Sequence, residues 1–585
     1  MYWAESVAYI LPPLVIWLAV SGVDDLVLLC AWIYLRMTQP ATRSLSMASD
    51  GPESLIAIFT PLWHEESVVR QMVTHNVTAI QYRNYHLFIG AYPNDEGTVE
   101  AIRELEQQFP NVHLALVPHN GPTSKADCLN WIYQQMLIQE EQLNQRFAAI
   151  ITHDAEDLIH PHSLRAIHAH LPHYDMIQVP VLPLPTALSE WVHGIYIDEF
   201  SEFQSRDLYV RARLGGFLPS AGVGTAFSRQ ALERLAVSAE NRIFEPSCLT
   251  EDYENGFRVK NLGFKQILLP AGPNVVATRE YFPRTWRAAA KQRTRWATGI
   301  VWQGMERHGW QGGARQLWWH WRDRKGLIGN PLSLVANLLF VLHFFVAFQH
   351  PILVLAPFTI GMALLQAGCR AAIVWRFYGW KQAMLTPLRI PAANALNTVS
   401  AARATWQYWR ARIRNQPLVW LKTQHQYPNR FALEAHRPTL QEVLVQSHYC
   451  TAEQLDSAIA TKPAGQRLAD WMVARGDVSE LDMYEALSLQ LCVPLAFVHP
   501  WDIPPATARS LPAHVINDLA VIPIRRQAGE LVLAASELPP EEAQRSLQEF
   551  TRMPVRFALI TRSNYDELRR AILSDERPQN ALSGV

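Results

Sequence analysis

No CxxC pair occurs, and the six cysteines (Cys30, Cys128, Cys248, Cys369, Cys450, Cys492) lie scattered along 585 residues. That pattern excludes a disulfide framework and a thiolate zinc site, and fits buried thiols of a reducing compartment. Charge is sparse: Asp, Glu, Lys and Arg make up 18% of the chain and the net charge is -1, which excludes nucleic acid as the main partner. A GxxxxGK(S/T) stretch is absent, so the chain holds no P-loop ATPase. The mean hydropathy of -0.05 excludes a polytopic transporter, yet 49% of residues are apolar. Soluble domains joined to a few membrane segments satisfy both facts, and the length predicts three or four domains. Present in quantity are 20 Trp and 38 Pro, with many of the Trp beside apolar runs, where membrane-interface belts put them.

From Ala8 to Tyr34 the chain is apolar except for Asp24 and Asp25. The run is too long for a secretory leader core and lacks a basic start and a cleavage site, so it is expected to be a retained anchor. The two carboxylates are expected in its cytoplasmic half, reaching water; a buried functional pair is the alternative. Two later runs, Leu327–Phe348 and Ile352–Trp375, are separated only by Gln349, His350 and Pro351, which predicts a tight helical hairpin. Arg36 and Arg43 follow the first run, Arg322, Arg324 and Lys325 precede the second, and Arg376, Lys381 and Arg389 follow the third. All three clusters are cytoplasmic if the N-terminus faces outward and the catalytic and C-terminal domains face the cytoplasm. The segment Ala392–Arg414, with Trp406, Trp409 and several Arg, reads as a helix lying in the interface; a solvent-exposed linker helix is the alternative.

Between anchor and hairpin, strand-like and helix-like segments alternate, which predicts an α/β sheet with covering helices. The expected strands are Leu55–Phe59, His86–Tyr92, His113–Val117 and Phe147–Thr152. Ligands in such sheets bind at the carboxyl ends of strands. Acidic residues stand there: Glu65 and Glu66 after the first, Asp95 after the second, Asp154, Glu156 and Asp157 after the fourth. The competing reading makes Asp154 and Glu156 caps of a helix beginning near His160–Pro161.

This order of segments resembles glycosyltransferase family 2, whose nucleotide-sugar enzymes have a fold of type A. The segments are Pro61-Leu62-Trp63-His64-Glu65, Asp95 in PNDEGT, Lys125 in SKADCLN, Asp154-Ala155-Glu156 in HDAEDLIHP, Thr250-Glu251-Asp252, and Gln292-Arg293-Thr294-Arg295-Trp296. They span roughly residues 50–300, with His64 and Glu156 departing from the usual Asn and Asp. The resemblance implies that Glu65 and Asp95 bind the donor, Asp95 at the nucleobase, with Lys125 near its diphosphate. It implies that Asp154 and Glu156 hold Mg2+ or Mn2+, and that Asp252, beside Glu251, is the general base. Arg293 and Arg295 would clamp the diphosphate, and Gln292 and Trp296 would meet the acceptor. The chemistry fits independently. Carboxylate oxygens suit a hard divalent cation, which stabilises a departing diphosphate, and a carboxylate facing the anomeric carbon can take the acceptor proton. A single base with an in-line leaving group implies inversion.

After a polar linker, residues repeat at an offset of 28: Leu440, Leu444, Val445, Thr451, Leu455, Ala458 and Ile459 correspond to Leu468, Met472, Val473, Ser479, Met483, Ala486 and Leu487. Each copy reads as two short helices, the second capped by Thr451 or Ser479. Strands are expected at 521–524, 531–533 and 555–560, with helices at Glu541–Thr551 and Ser563–Ile572. This module resembles the N-terminal domain of type II secretion and pilus-assembly ATPases. Some of those domains bind cyclic di-GMP through paired Arg-Leu-Gly…Gly motifs. The resemblance implies binding by Arg467, Leu468 and Gly476 of the second copy and Leu440 of the first. The first copy reads Thr439-Leu440-Gln441…His448 and lacks the Arg and Gly.

The expected organisation is an anchor (1–50), a transferase domain (51–320), a hairpin with an interfacial helix (321–421), a linker (422–436) and a sensor-like α+β module (437–577). The combination, and the segments SGVDDL, YPNDEGT and HDAEDLIHP, resemble the bacteriophage adsorption protein B group of bacterial inner-membrane proteins. That implies an inner-membrane transferase moving a sugar, by family default from a UDP-hexose or UDP-N-acetylhexosamine, to a surface saccharide or lipid-linked acceptor under cyclic di-GMP control. Envelope export partners or a homodimer would complete it. The rival is a catalytically inactive scaffold for an envelope saccharide or phage-receptor complex.

Overall fold

The computed structural model describes residues 2–38, 52–272, 276–346, 350–416, 418, 439–446, 449–463, 465–491, 493, 495–527, 530–551 and 553–573. The chain divides into two compact units, Met1–Thr74 with Tyr82–Ala432, and His75–Gln81 with Leu433–Val585.

In the first unit the short apolar runs become the strands β1 (Ile56–Pro61), β2 (Tyr85–Ala91), β3 (Val112–Leu116), β4 (Ala149–Thr152), β5 (Met176–Gln178), β6 (Val181–Pro183), β7 (Thr225–Ser228), β8 (Gln266–Leu268) and β9 (Thr278–Glu280). Seven of them form one sheet in the order β3-β2-β1-β4-β7-β5-β8, and β6 pairs with β9 apart from it. β1 runs parallel to both β2 and β4, with Phe59 opposite Phe88 and Thr152. β7 is antiparallel to β4 and β5. Because β1, β2 and β4 are parallel, the acidic segments that follow them emerge at one edge. One face of the sheet is sealed by the helix Lys125–Leu143, whose Leu129, Ile132 and Met136 pack with Phe59, Phe88 and Phe147. That helix starts where Ser124 accepts the Asp127 N–H at 3.2 Å, an N-cap, and stops at Asn144 in the left-handed region. Lys125 is therefore its first residue, at the sheet edge.

Three helices are long and apolar enough to cross a membrane: Tyr9–Thr38, Gly326–His343 and Pro351–Tyr378. They correspond to the three expected runs; residues 347–349, part of the expected hairpin turn and its flank, lie outside the described set. Two expectations change. The segment placed at Ala392–Arg414 belongs to a helix that begins at Trp380 and runs to Ile413. Asp24 and Asp25 do not reach toward water: they are half-buried or better and ion-paired with Arg322 and Lys325. An unpaired carboxylate in a span is costly, and a cation from the adjoining helix offsets that cost.

The second unit shows the repeat directly. Helices start at Leu440 and Leu468, then at Ala452 and Glu480, the spacing of 28 in both cases. Leu444, Leu455, Ala458, Met472, Met483 and Ala486 meet in one apolar cluster. Beyond it, β10 (Val521–Gln527), β11 (Glu530–Ala535) and β12 (Val555–Leu559) form a three-stranded sheet in that order.

Candidate active site

A cavity of about 660 Å3 opens at the carboxyl edge of the sheet. Trp63, Glu65, Tyr92, Lys125, Asp154, Glu156, Glu251, Asp252, Gln292, Arg293, Arg295 and Trp296 all line it. One end is aromatic: Trp63 meets the Tyr92 ring edge-on at 5.4 Å, and the Tyr92 hydroxyl lies 2.7 Å from Thr123 Oγ1. Such a slot suits the flat face of a base. Asp95 is not among the lining residues. Its carboxylate instead accepts the His64 backbone N–H at 2.6 Å and lies 3.3 Å from the His64 ring, holding His64 at a positive φ of 53° and so shaping the turn that presents Trp63.

In the middle, Lys125 Nζ lies 2.5 Å from Asp154 Oδ1. Burial alone would lower this ammonium, but the carboxylates of Asp154, Glu251 and Asp252 outweigh it and hold it above the ordinary lysine range. The HDAED segment is not a helix cap: the following helix begins at Ser163 after His162. Its turn is tied by Asp157, which accepts the Asp154 N–H at 3.0 Å and lies 2.8 Å from His153 Nδ1.

Opposite, the helix Glu251–Asn261 carries Glu251 and Asp252 in its first turn, where its positive end favours carboxylates. Burial, the largest cause, raises both above the usual carboxylate range; Asp252 adds to this at Glu251, while Lys125 and Arg295 oppose it. Gly222, at φ +80°, faces the Asp252 carboxylate so closely that a Cβ there would collide with it. The glycine is required by conformation and by space. Its carbonyl accepts Lys125 Nζ at 3.5 Å, so one loop separates Lys125 from Asp252. Gln178, which sequence reasoning missed, holds that loop by accepting the Ala221 N–H and the Thr225 hydroxyl and donating to the Val223 carbonyl.

Glu280, at the end of β9, was also missed. It lines the cavity, and burial followed by the charges of Asp157, Glu156 and Asp154 raises it well above its ordinary value. No sequence signal separates it from any acid ending a short strand. Of the QRTRW residues, Arg295 faces Glu251 and Asp252 electrostatically. Arg293, also on the cavity wall, lies 2.7 Å from Glu199 and 2.6 Å from the Asn397 amide oxygen, both of which line the cavity too, and is stacked over Tyr196. Trp296 packs on Tyr196 and Phe200. Asp154, Glu156, Glu251, Asp252 and Glu280 line the cavity together with Lys125 and Arg295, and carboxylate oxygens of this kind suit a hard divalent cation. Among the described residues no three His, Cys, Asp or Glu side chains are grouped to hold a metal by themselves, so oxygens of a bound diphosphate would complete its shell.

In the second unit Arg467 lies 2.7 Å from Asp470 and 2.6 Å from Glu537. Gly476 ends the helix Leu468–Arg475 in the left-handed region, with open space where a Cβ would stand. Leu440 and Leu468 are partly buried against the repeat core.

Residues 52–299 match the family described as "Glycosyltransferase like family 2", and residues 491–579 match the MshEN domain. The chain is 31% identical to bacteriophage adsorption protein B of Escherichia coli strain K12 and to bacteriophage N4 adsorption protein B of Escherichia coli O157:H7. In each case the match covers 96% of this chain and 81% of the relative. Among solved structures, a mannosyltransferase of Pyrobaculum calidifontis in complex with GDP-Man and Mn2+ is similar at 16% identity with a TM-score of 0.45, covering 67% of this chain and 98% of that one. With its α/β type A transferase domain, its three membrane-length helices and its MshEN-type C-terminus, the chain belongs to the bacteriophage adsorption protein B family and is a glycosyltransferase.

Proposed function

We propose that the protein is an inverting transferase of the bacterial inner membrane, working at the cytoplasmic face. It would move a sugar from a nucleotide donor, a UDP-hexose or UDP-N-acetylhexosamine, to a growing surface saccharide or lipid-linked acceptor. The observation that carries this reading is that Asp252 and the Lys125–Asp154 pair share one cavity, separated only by the Gly222 loop.

The base slot at Trp63 and Tyr92 orients the nucleotide, and Lys125 with Arg295 neutralises part of its diphosphate charge. Asp154 and Glu156 would hold Mg2+ or Mn2+, which when bound supplies further neutralisation of the diphosphate. Asp252 takes the proton from the acceptor hydroxyl as that oxygen bonds to the anomeric carbon; the bond from that carbon to the diphosphate oxygen breaks, and the nucleoside diphosphate leaves with the electron pair. A carboxylate raised by burial is a stronger base than one in water. The MshEN match, with Arg467 and Gly476 in the segment before it, supports cyclic di-GMP as the regulator. The relatives' name supports a surface saccharide that serves bacteriophage adsorption.

The test is release of UDP by purified full-length protein from UDP-glucose or UDP-N-acetylglucosamine. The expected result is saturable release that needs Mn2+ or Mg2+ and disappears in Asp154→Ala. Metal-independent release, or none from any nucleotide sugar, overturns the reading.

A further inference from the structure

The donor chemistry leaves two acidic features unused, the anchor pair Asp24–Asp25 and Asp323. They stand at two ends of one short construction. Asp24 Oδ2 is 2.6 Å from Arg322 Nη1 and 2.7 Å from Lys325 Nζ, and Asp24 Oδ1 accepts the Trp318 indole N–H at 2.6 Å. Asp25 Oδ1 is 3.0 Å from Lys325 and 3.1 Å from Arg322, and Asp25 Oδ2 accepts the Gln366 amide at 2.8 Å. The anchor thus grips one helix, Ala314–Arg324, and the lysine that follows it. The next residue along that helix, Asp323, points the other way. It accepts both Arg211 nitrogens at 2.7 and 2.9 Å and the Tyr253 hydroxyl at 2.5 Å. Tyr253 directly follows Asp252, and the Tyr253 N–H donates to Asp252 Oδ1 at 2.7 Å. Its ring is wedged edge-on against Phe217 at 5.4 Å.

We propose that the anchor's carboxylate pair positions the transfer chemistry: Asp24 and Asp25 set the helix Ala314–Arg324, Asp323 on that helix fixes Tyr253, and Tyr253 sets the turn that holds Asp252 against Gly222. This rests on the reading of Asp252 as the base. Apolar side chains would hold a membrane helix to its neighbour without the desolvation that buried charges cost. What charges and bidentate hydrogen bonds add is a fixed register. Register matters here because Asp252 already abuts the Gly222 backbone, and small displacements of a reacting group are expensive in rate. Asp24, Asp25, Asp323 and Tyr253 are positioning residues; none of them is assigned to the donor.

The experiment uses the full-length protein in lipid nanodiscs, with Asp24→Asn/Asp25→Asn, Tyr253→Phe and the combined variant. Hydrogen exchange should speed up by about tenfold in residues 250–257, the loss of one ordinary hydrogen bond, and stay unchanged in the helix Lys125–Leu143. Affinity for UDP with Mn2+ should stay within about twofold of wild type, because the donor contacts are untouched. Turnover should fall in each variant, and the combined variant should be no slower than the slower of the two, since both cut the same link. Unchanged exchange at 250–257 in the anchor variant, an equal rise throughout the domain, or independent, multiplicative losses in turnover each overturn the proposal. Tyr253→Phe keeps the ring and its packing, so it separates misfolding from lost positioning. Asp252→Asn is the control for the underlying reading: turnover that survives it removes the base assignment, whereas the exchange result judges the link by itself.

Discussion

Asp252 sits where conformation, space and charge all constrain one carboxylate. Replacing it by Asn keeps the shape and the Tyr253 contact but removes the base, so transfer should fall by about 10²–10⁴. Calorimetric affinity for UDP with Mn2+ should stay nearly intact; its loss would place Asp252 in the donor site. The stability effect has the opposite sign. Asp252 and Glu251 both titrate above their ordinary values, so the protonated forms are favoured in the fold. Their stabilising contribution is complete below the unfolded pKa and is lost as pH rises through the raised folded value. At neutral pH Asp252→Asn should therefore melt higher than wild type, a gain that shrinks toward acid pH. Transfer needs the ionised base, so activity should fall with decreasing pH at a midpoint above the usual carboxylate range. Gly222→Ala tests the space rather than the charge. A side chain at φ +80° costs on the order of 1–3 kcal/mol and pushes Asp252 away, so turnover should drop with UDP binding retained. The gathering of Lys125, Asp154, Glu251 and Asp252 in one cavity was legible in the sequence because short motifs keep their order. Glu280 and Gln178 were not, since their roles depend on the β6–β9 pairing and on the loop fold, which no local pattern encodes.

At the level of elements, the helical segment after Trp296 is tied to the loop that leads into the helix Glu251–Asn261. Residues Ala297–Gln303 form a π-helical segment, a feature often found near functional sites. Gln303, buried there, accepts the Leu249 N–H and donates to the Ser247 carbonyl, both at 2.9 Å. One amide thereby ties two backbone groups of the loop that leads into Thr250-Glu251-Asp252. Trp302 of the same segment stacks on Tyr408 at 5.1 Å, which joins the base loop to the long helix Trp380–Ile413. Gln303→Met, similar in size, should cost about 1–3 kcal/mol through two orphaned backbone groups and lower turnover with little change in UDP affinity. Gln303→Glu keeps the acceptor alone and should fall between. Equal turnover per folded molecule in both would make Gln303 a packing residue only. The long helix also shows why element boundaries were misread. Pro387 and Pro391 lie inside it and read as breakers, yet each removes a single backbone hydrogen bond. Contacts such as Thr386 to Asp198 at 2.9 Å and Gln382 to the Thr186 carbonyl at 3.0 Å outweigh that loss, and they join residues nearly two hundred positions apart.

For the whole molecule, the proposed regulation depends on whether the second unit binds cyclic di-GMP. Arg467 is held by Asp470 and Glu537, so an anionic dinucleotide has to displace two carboxylates to reach it. These pairs are about half exposed, and exposed pairs are worth only about 0–1 kcal/mol. The competition is therefore weak but has a definite sign. In titrations of the full-length protein with cyclic di-GMP, Arg467→Ala should weaken binding by roughly 1–2 kcal/mol, the loss of a guanine stack and a charge. Glu537→Gln should tighten it, by less than about tenfold. The first copy offers an independent check. Thr439 stands where Arg467 stands in the second copy, and Gln441 where the protein backbone would need to approach the nucleotide closely; His448, opposite Gly476 in the repeat, lies outside the described residues. Thr439→Arg with Gln441→Gly restores the cation and removes a side chain, so it should strengthen binding further. Activation of transfer then requires that the bound and free forms of the unit differ in how they affect the transferase, because a ligand shifts an equilibrium only through differential affinity. Binding in wild type that Arg467→Ala weakens by that amount, together with faster UDP release, establishes the sensor. No binding in wild type with recovery in the Thr439/Gln441 variant means a sensor that has lost its first half. No binding in either makes the unit a docking module, and cyclic di-GMP leaves the account of this transferase.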